Sequence, residues 1–205
     1  MPLATSDYAA IARTLDNKRL HKQALEAWQI LMVLVELNPD GVDRKPTGWV
    51  NHPATKMWRN REQALLLYIL AMVVEWHERG YKSTIGEKAI QTYLTAVKRG
   101  KADISHTPLL PSWQIDNDEF EKVAGTHRQA LLAKNYAHYS QFGWQEDNGI
   151  EPTTYEYYWP TPKADDDSKA DEPDESHWET LDNFLFTLAI SSVATSGIPA
   201  QNKGK

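Results

Sequence analysis

The stretch Ala64-Leu-Leu-Leu-Tyr-Ile-Leu-Ala-Met-Val-Val74 decides the fold class. It is apolar nearly all round, so a helix made from it has no face to give to solvent and belongs at the centre of a bundle. It is also well short of the roughly 20 apolar residues that cross a bilayer. Working outward, Asn51-His52-Pro53 opens this helix, with Asn51 or His52 as cap and proline in the first turn, and Gly80 closes it. The pattern predicts a helix over residues 53–79. Upstream, Ile11, Leu15, Leu20, Leu25, Trp28, Ile30, Leu31, Leu34 and Val35 recur mostly at three- and four-residue steps. This predicts one helix over residues 7–37, stopped by the turn residues Asn38-Pro39-Asp40-Gly41. Downstream, helices are predicted over residues 85–99, before Gly100, and over 116–140, with Asp116 or Asn117 as cap. Pro108 and Pro111 bracket an extended link between them.

The reading is an all-α, compact single-domain helical fold over residues 1–160, followed by an acidic linker and a short C-terminal helix. Residues 161–176 contain Asp165-Asp166-Asp167 and almost no hydrophobes, too few to offset the entropy of ordering. In the tail, 177–205, Trp178, Leu181, Phe184, Leu185 and Leu188 step at helical spacing. The formal charge of −6 is unevenly divided. Residues 1–145 hold 18 Lys and Arg against 15 Asp and Glu, and residues 146–205 hold 4 against 13. The first part is therefore mildly basic and leaves room for a face that meets a polyanion. The 205 residues include no cysteine, which excludes disulfides, thiolate metal sites and a thiol nucleophile. No apolar leader is visible, and the expectation is a cytoplasmic protein without a membrane partner.

Several constellations could carry chemistry. On a helix, Arg19, Lys22, Gln23, Glu26 and Gln29 share one face. A carboxylate inside a basic and polar stripe suits proton transfer or stabilisation of a cation, and equally an ordinary salt-bridged surface. His52 at a helix start, with Arg59 and Arg61, is suited to phosphate or to capping. His127, Arg128, Lys134 and Asn135 leave the same two readings open. The run Tyr155-Glu156-Tyr157-Tyr158-Trp159 can stack on bases or pack as a lid on the core. The seven histidines form no metal-binding pair at helical spacing, so neither a metal nor another cofactor is expected. Pro2 follows Met1, and loss of the methionine would expose a secondary amine able to form an iminium with a sugar C1′.

In order, Leu15-Asp16-Asn17-Lys18-Arg19-Leu20-x-Lys22-Gln23-x-x-Glu26-Ala27-x-Gln29, Gly48-Trp49-x-Asn51-His52-Pro53, Met57-Trp58-Arg59 and Glu75-Trp76-x-x-Arg79-Gly80-Tyr81-Lys82 resemble the pyrimidine-dimer DNA glycosylases, the phage-type endonuclease V family. Pro111-x-Trp113, His127-Arg128, Lys134 and Tyr158-Trp159-Pro160 fit the same pattern, nearest to its bacterial and actinophage branch. The resemblance implies an all-α domain, acting as a monomer without a cofactor on damaged double-stranded DNA. It implies removal of one base of a UV-induced pyrimidine dimer and strand cleavage by an associated AP lyase step. Pro2 falls on the family's amine nucleophile and Glu26 on its essential glutamate. Arg19, Lys22, Gln23, Gln29, His52, Arg59, Arg61, His127, Arg128 and Lys134 are the implied DNA contacts. Two other readings stay open: a glycosylase for a different damaged or modified base, and a non-catalytic DNA-binding protein on the same scaffold.

Overall fold

The computed structural model of the chain describes residues 8–105 and 109–161. Its helices are α1 (Tyr8–Thr14), α2 (Asn17–Leu34), α3 (Pro53–Lys56), α4 (Glu62–Glu78), α5 (Ile85–Lys98), α6 (Ser112–Ile115), α7 (Asn117–Lys134) and α8 (Tyr136–Tyr139). No strand occurs among the described residues, and the all-α reading holds. Pro2, the 162–176 part of the expected linker and the expected C-terminal helix lie outside the described residues.

The apolar stretch 64–74 forms the middle of α4, which packs against α1, α2 and α5. Leu65, Leu66, Ile69, Leu70, Met72 and Val73 are buried. Each such side chain contributes about 1.5–3 kcal/mol relative to leaving it in water. α5 lies close: a Cβ built on Gly86 would stand 3.2 Å from Val73 Cγ1. The α5 prediction agrees with the structure to one residue.

Three expectations need correction. The helix predicted over 7–37 is two helices. Asp16 leaves the helical region at φ −66 and ψ 159, and its carboxylate accepts the Arg19 amide at 2.9 Å to start α2 afresh. Leu15 keeps the apolar rhythm across the break, which hides it from a periodicity reading. The helix predicted over 53–79 is also split. α3 has four residues and is capped by His52, whose Nδ1 accepts the Ala54 amide at 3.1 Å. Asn60, at φ 58, turns the chain before α4. The helix predicted over 116–140 ends at Lys134 because Asn135 is extended at φ −160 and ψ 71, and α8 follows. Its start was read correctly: the Asp116 carboxylate accepts the Asp118 and Glu119 amides.

α1 has seven residues and cannot hold itself together in water. Arg79, at the end of α4, holds its C-terminus. The guanidinium donates to Leu15 O at 2.7 Å, to Ala12 O and Arg13 O at 3.3 Å, and to Asn17 Oδ1 at 2.9 Å. Glu75 pairs with it at 2.7 Å. A cation at a helix C-terminus also meets the negative end of the helix dipole. Arg79→Ala should lower stability by about 2–4 kcal/mol, because it frees these carbonyls and strands the largely buried Glu75. Chemical denaturation checks this, and Arg79→Lys should recover only part of the loss.

Candidate functional site

α2 buries Leu20, Ala24, Ala27, Trp28 and Leu31, which turns Lys22, Glu26 and Gln29 away from α4. Lys22 Nζ lies 3.4 Å from Glu26 Oε1, with the two side chains 65% and 39% exposed. An exposed pair of this kind is worth little, so the Glu26 carboxylate is open to a ligand at small cost. Gln29 is exposed. Gln23, one turn before Glu26, faces inward and accepts the Tyr68 hydroxyl at 3.0 Å. Burial pushes the Tyr68 phenol up, and the Tyr8 hydroxyl and the Glu26 charge add to this. Tyr8 meets the Tyr68 ring edge-on at 5.4 Å and donates to Gln114 Oε1 at 2.7 Å. Its phenol is pushed up to about 12 by burial, against the opposing pull of the Gln114 hydrogen bond. The start of α1 is thus fixed, through Tyr8, against Tyr68, on which the Glu26 charge acts.

The basic residues expected at the site divide by what they already hold. Arg61 is 6% exposed and donates to Leu110 O at 3.2 Å and Asn60 O at 2.6 Å, so it is an interior support rather than a surface contact. Arg128 is clamped by both oxygens of Glu146 at 2.8 Å and by Glu121 at 3.0 Å. Its charge is largely cancelled before any phosphate arrives. Arg19 pairs with Asp16 at 3.1 Å and donates to Lys134 O at 3.0 Å, joining the start of α2 to the end of α7. Arg59 is exposed and lines a cavity of about 310 Å³, with Val33, Leu34, Asn60, Glu62 and Lys101 also on its walls. That cavity opens two turns along α2 from Glu26.

His52, His127 and Lys134 come together through rings that sequence spacing alone did not join. Trp49 lies on His52 at 4.5 Å, and His52 meets Trp159 at 5.8 Å. Trp159 meets His127 at 5.8 Å and Tyr157 at 5.4 Å. Tyr157 continues to Tyr155 at 5.4 Å. Lys134 Nζ stands 4.9 Å from the Tyr155 ring and donates to the Tyr157 hydroxyl at 2.6 Å. Burial holds the His127 pKa down, and the Lys134 charge acts the same way, against the Val123 carbonyl hydrogen bond. At neutral pH His127 is therefore an uncharged ring. Its Nδ1 donates to Val123 O at 2.8 Å, which leaves Nε2 as an acceptor. Trp49 itself is held at φ 63, a left-handed conformation that costs an L residue about 1–2 kcal/mol. The aromatic run at 155–159 was legible as a stacking candidate. Trp49 has no spacing partner in the sequence, and its Gly48-Trp49-x-Asn51-His52 setting is the signal that marks it.

Among the described residues no group of three or more histidines and carboxylates could hold a metal ion, and no helix is long and apolar enough to cross a membrane. Residues 3–88 match the family model for pyrimidine dimer DNA glycosylase. The matched segment contains α1 to α4, and with them Glu26, His52 and Trp49. No curated protein and no solved structure matches the chain.

The junction between α2 and α7 has a pH signature. Burial tends to raise the Asp16 pKa, but hydrogen bonds from the Arg19 amide, Asn135 and Tyr139, together with the Arg19 charge, outweigh it and hold the carboxyl low. A depressed carboxylate stabilises the fold above its unfolded value, about 3.9, and loses that contribution as pH falls through the folded one. Asp16→Asn keeps a capping side chain and removes the charge. It should cost about 1 kcal/mol at pH 7, and the gap from wild type should close as pH drops from 5 towards 3 in a denaturation series.

Proposed function

We propose that the chain is a DNA repair glycosylase with an associated AP lyase activity, excising one base of a UV-induced pyrimidine dimer. The family match over residues 3–88 supports the glycosylase class. The observation that carries the mechanism is the anchoring of Tyr8 against Tyr68 and, through the Tyr68 hydroxyl, to Gln23 one turn from Glu26. Tyr8, the first described residue, is thereby fixed on α4 one side chain away from Gln23. The proposal requires the amine of Pro2 to meet the Glu26 carboxylate, and six extended residues span at most about 20 Å.

In this mechanism the secondary amine of Pro2, freed by loss of Met1, attacks C1′ of the damaged nucleotide. The N–C1′ bond to the amine forms as the glycosidic bond breaks, and the base leaves with its bonding electron pair. Glu26 stabilises the positive charge that develops on the sugar. The Glu26 carboxylate takes the N–H proton of the added amine and passes it to O4′ as the C1′–O4′ bond opens to the iminium. Loss of a C2′ proton and departure of the 3′ phosphate complete the β-elimination, and water releases the amine. Local unstacking at the lesion lowers the cost of reaching C1′.

Borohydride trapping tests this on duplexes carrying one thymine dimer, one abasic site or no damage, with EDTA present. Wild type should give a covalent adduct on the dimer duplex that maps to Pro2, and Glu26→Gln should reduce its rate by at least about 100-fold, the scale on which one electrostatic group contributes. An adduct on the abasic duplex alone would keep the amine chemistry and move the substrate to another damaged base. Absence of any adduct, with Pro2 shown to be the first residue by mass spectrometry, overturns the imine.

Charge contacts have their own readout. Lys22→Ala should weaken binding to all duplexes and flatten the plot of log affinity against log salt by about 0.9. Arg128→Ala should leave that slope unchanged and lower the melting temperature, since Glu146 and Glu121 already take up its charge.

A further inference from the structure

We infer that Trp49 is a stacking wedge for an unpaired base in damaged duplex DNA, and so sets the preference for lesion over intact duplex. This rests on the glycosylase reading and assigns a residue that reading does not use. Three non-glycine residues are left-handed among the described residues: Glu36, Trp49 and Asn60. Glu36 directly follows the α2 cap, where a left-handed residue is the common way to end a helix. Asn60 is the residue type that tolerates the conformation best. Trp49 has neither explanation. It is bulky, stands in a loop and is next to Gly48, which would accept the same backbone at no steric cost.

The strain is not offset by burial, because Trp49 is 55% exposed. What the conformation does achieve is orientation. One face of the indole lies over His52 at 4.5 Å and a 33° tilt, and His52 continues the row to Trp159, His127 and Tyr157. The indole thus forms the exposed end of a row of rings, with much of its surface open. A base laid on it would lengthen that row. Indole stacking is tolerant of base identity but needs a base whose own face is free. In intact duplex both faces of every base are occupied by neighbours, whereas at an abasic site or distorted dimer a face is freed. Occupation by such a base is also what makes a strained, exposed tryptophan worth its cost.

The test uses full-length Trp49→Asn and Trp49→Phe beside wild type. Asparagine suits the left-handed backbone and removes the ring, whereas phenylalanine keeps a ring. Binding is measured by anisotropy on an abasic-analogue duplex and an undamaged duplex of the same sequence. 2-Aminopurine opposite the abasic position reports stacking, and thermal melting reports the fold. Trp49→Asn should melt no lower than wild type, yet lose about 10-fold or more of the lesion-over-intact preference, together with the 2-aminopurine response. Trp49→Phe should retain most of both. An unchanged preference in Trp49→Asn overturns the wedge, as does a lowered melting temperature with equal losses on both duplexes. None of these readouts needs the Pro2 amine, so a wedge effect can survive failure of the trapping experiment. Failure of wild type to distinguish the two duplexes overturns the wedge by itself.

Discussion

The burial of α4 is the constraint on which the rest of the structure depends. A helix with apolar residues all round its middle must be covered on several sides, and α1, α2 and α5 cover it. Each of these covering helices then has one committed face and one free face. For α2 the committed face is Leu20, Ala24, Ala27, Trp28 and Leu31. Helix geometry leaves Lys22, Glu26 and Gln29 no position but the outer side. The chemistry-bearing stripe is in this sense a by-product of core packing: it is held rigidly because the opposite face is buried, not because its own contacts are strong.

α1 is the weak element of this arrangement and the one closest to the proposed nucleophile. Two turns of helix bury little, so its position comes from side chains of other elements. Arg79 fixes one end through carbonyl contacts. At the other end Tyr8 packs among Trp58 and Tyr68 and bonds to Gln114, 106 residues away. A helix placed by long-range contacts depends on the whole fold, so substitutions far from Glu26 can move Tyr8 without touching it.

The sequence was most legible where one physical signal acted alone. The apolar run of α4, the Asp116 cap of α7 and the glycine after α5 were each read from local chemistry, and each agrees with the structure. The break at Asp16 was not legible because Leu15 carries the apolar rhythm across a local cap, and the break at Asn135 because it depends on partners elsewhere. Asp16 is held by Asn135, Arg19 and Tyr139, and the backbone of Asn135 turns where these groups meet. The interior place of Arg61 was hidden for the same reason: its acceptor Leu110 lies 49 residues away. Glu26 could be picked out on its stripe, but its setting against Tyr68 could not. The row from Trp49 to Lys134 unites residues 49–52, 127–134 and 155–159, a contact no spacing rule joins.

The partners already held by the basic residues decide what kind of interface the proposed DNA face is. Arg61 and Arg128, two of the basic residues expected there, are committed to interior carbonyls and to carboxylates, Arg19 is shared with Asp16 and Lys134 O, and His127 is neutral at pH 7. A face built mainly on phosphate charge would keep such cations free, as polyelectrolyte binding gains from every counterion released. Here Arg19, Arg61 and Arg128 instead hold the scaffold, Lys22 and Arg59 stay exposed, and the row of rings shows Trp49 and Tyr155 at the surface, with Lys134 seated among the tyrosines. Recognition on such a proposed face would be carried more by stacking than by charge. Stacking discriminates in favour of DNA whose bases are already partly unpaired, whereas phosphate contacts do not distinguish a lesion from the intact strand. On the proposed reading, an overall acidic chain would still select damaged duplex, because the selectivity would rest on ring faces that intact DNA has no means to occupy.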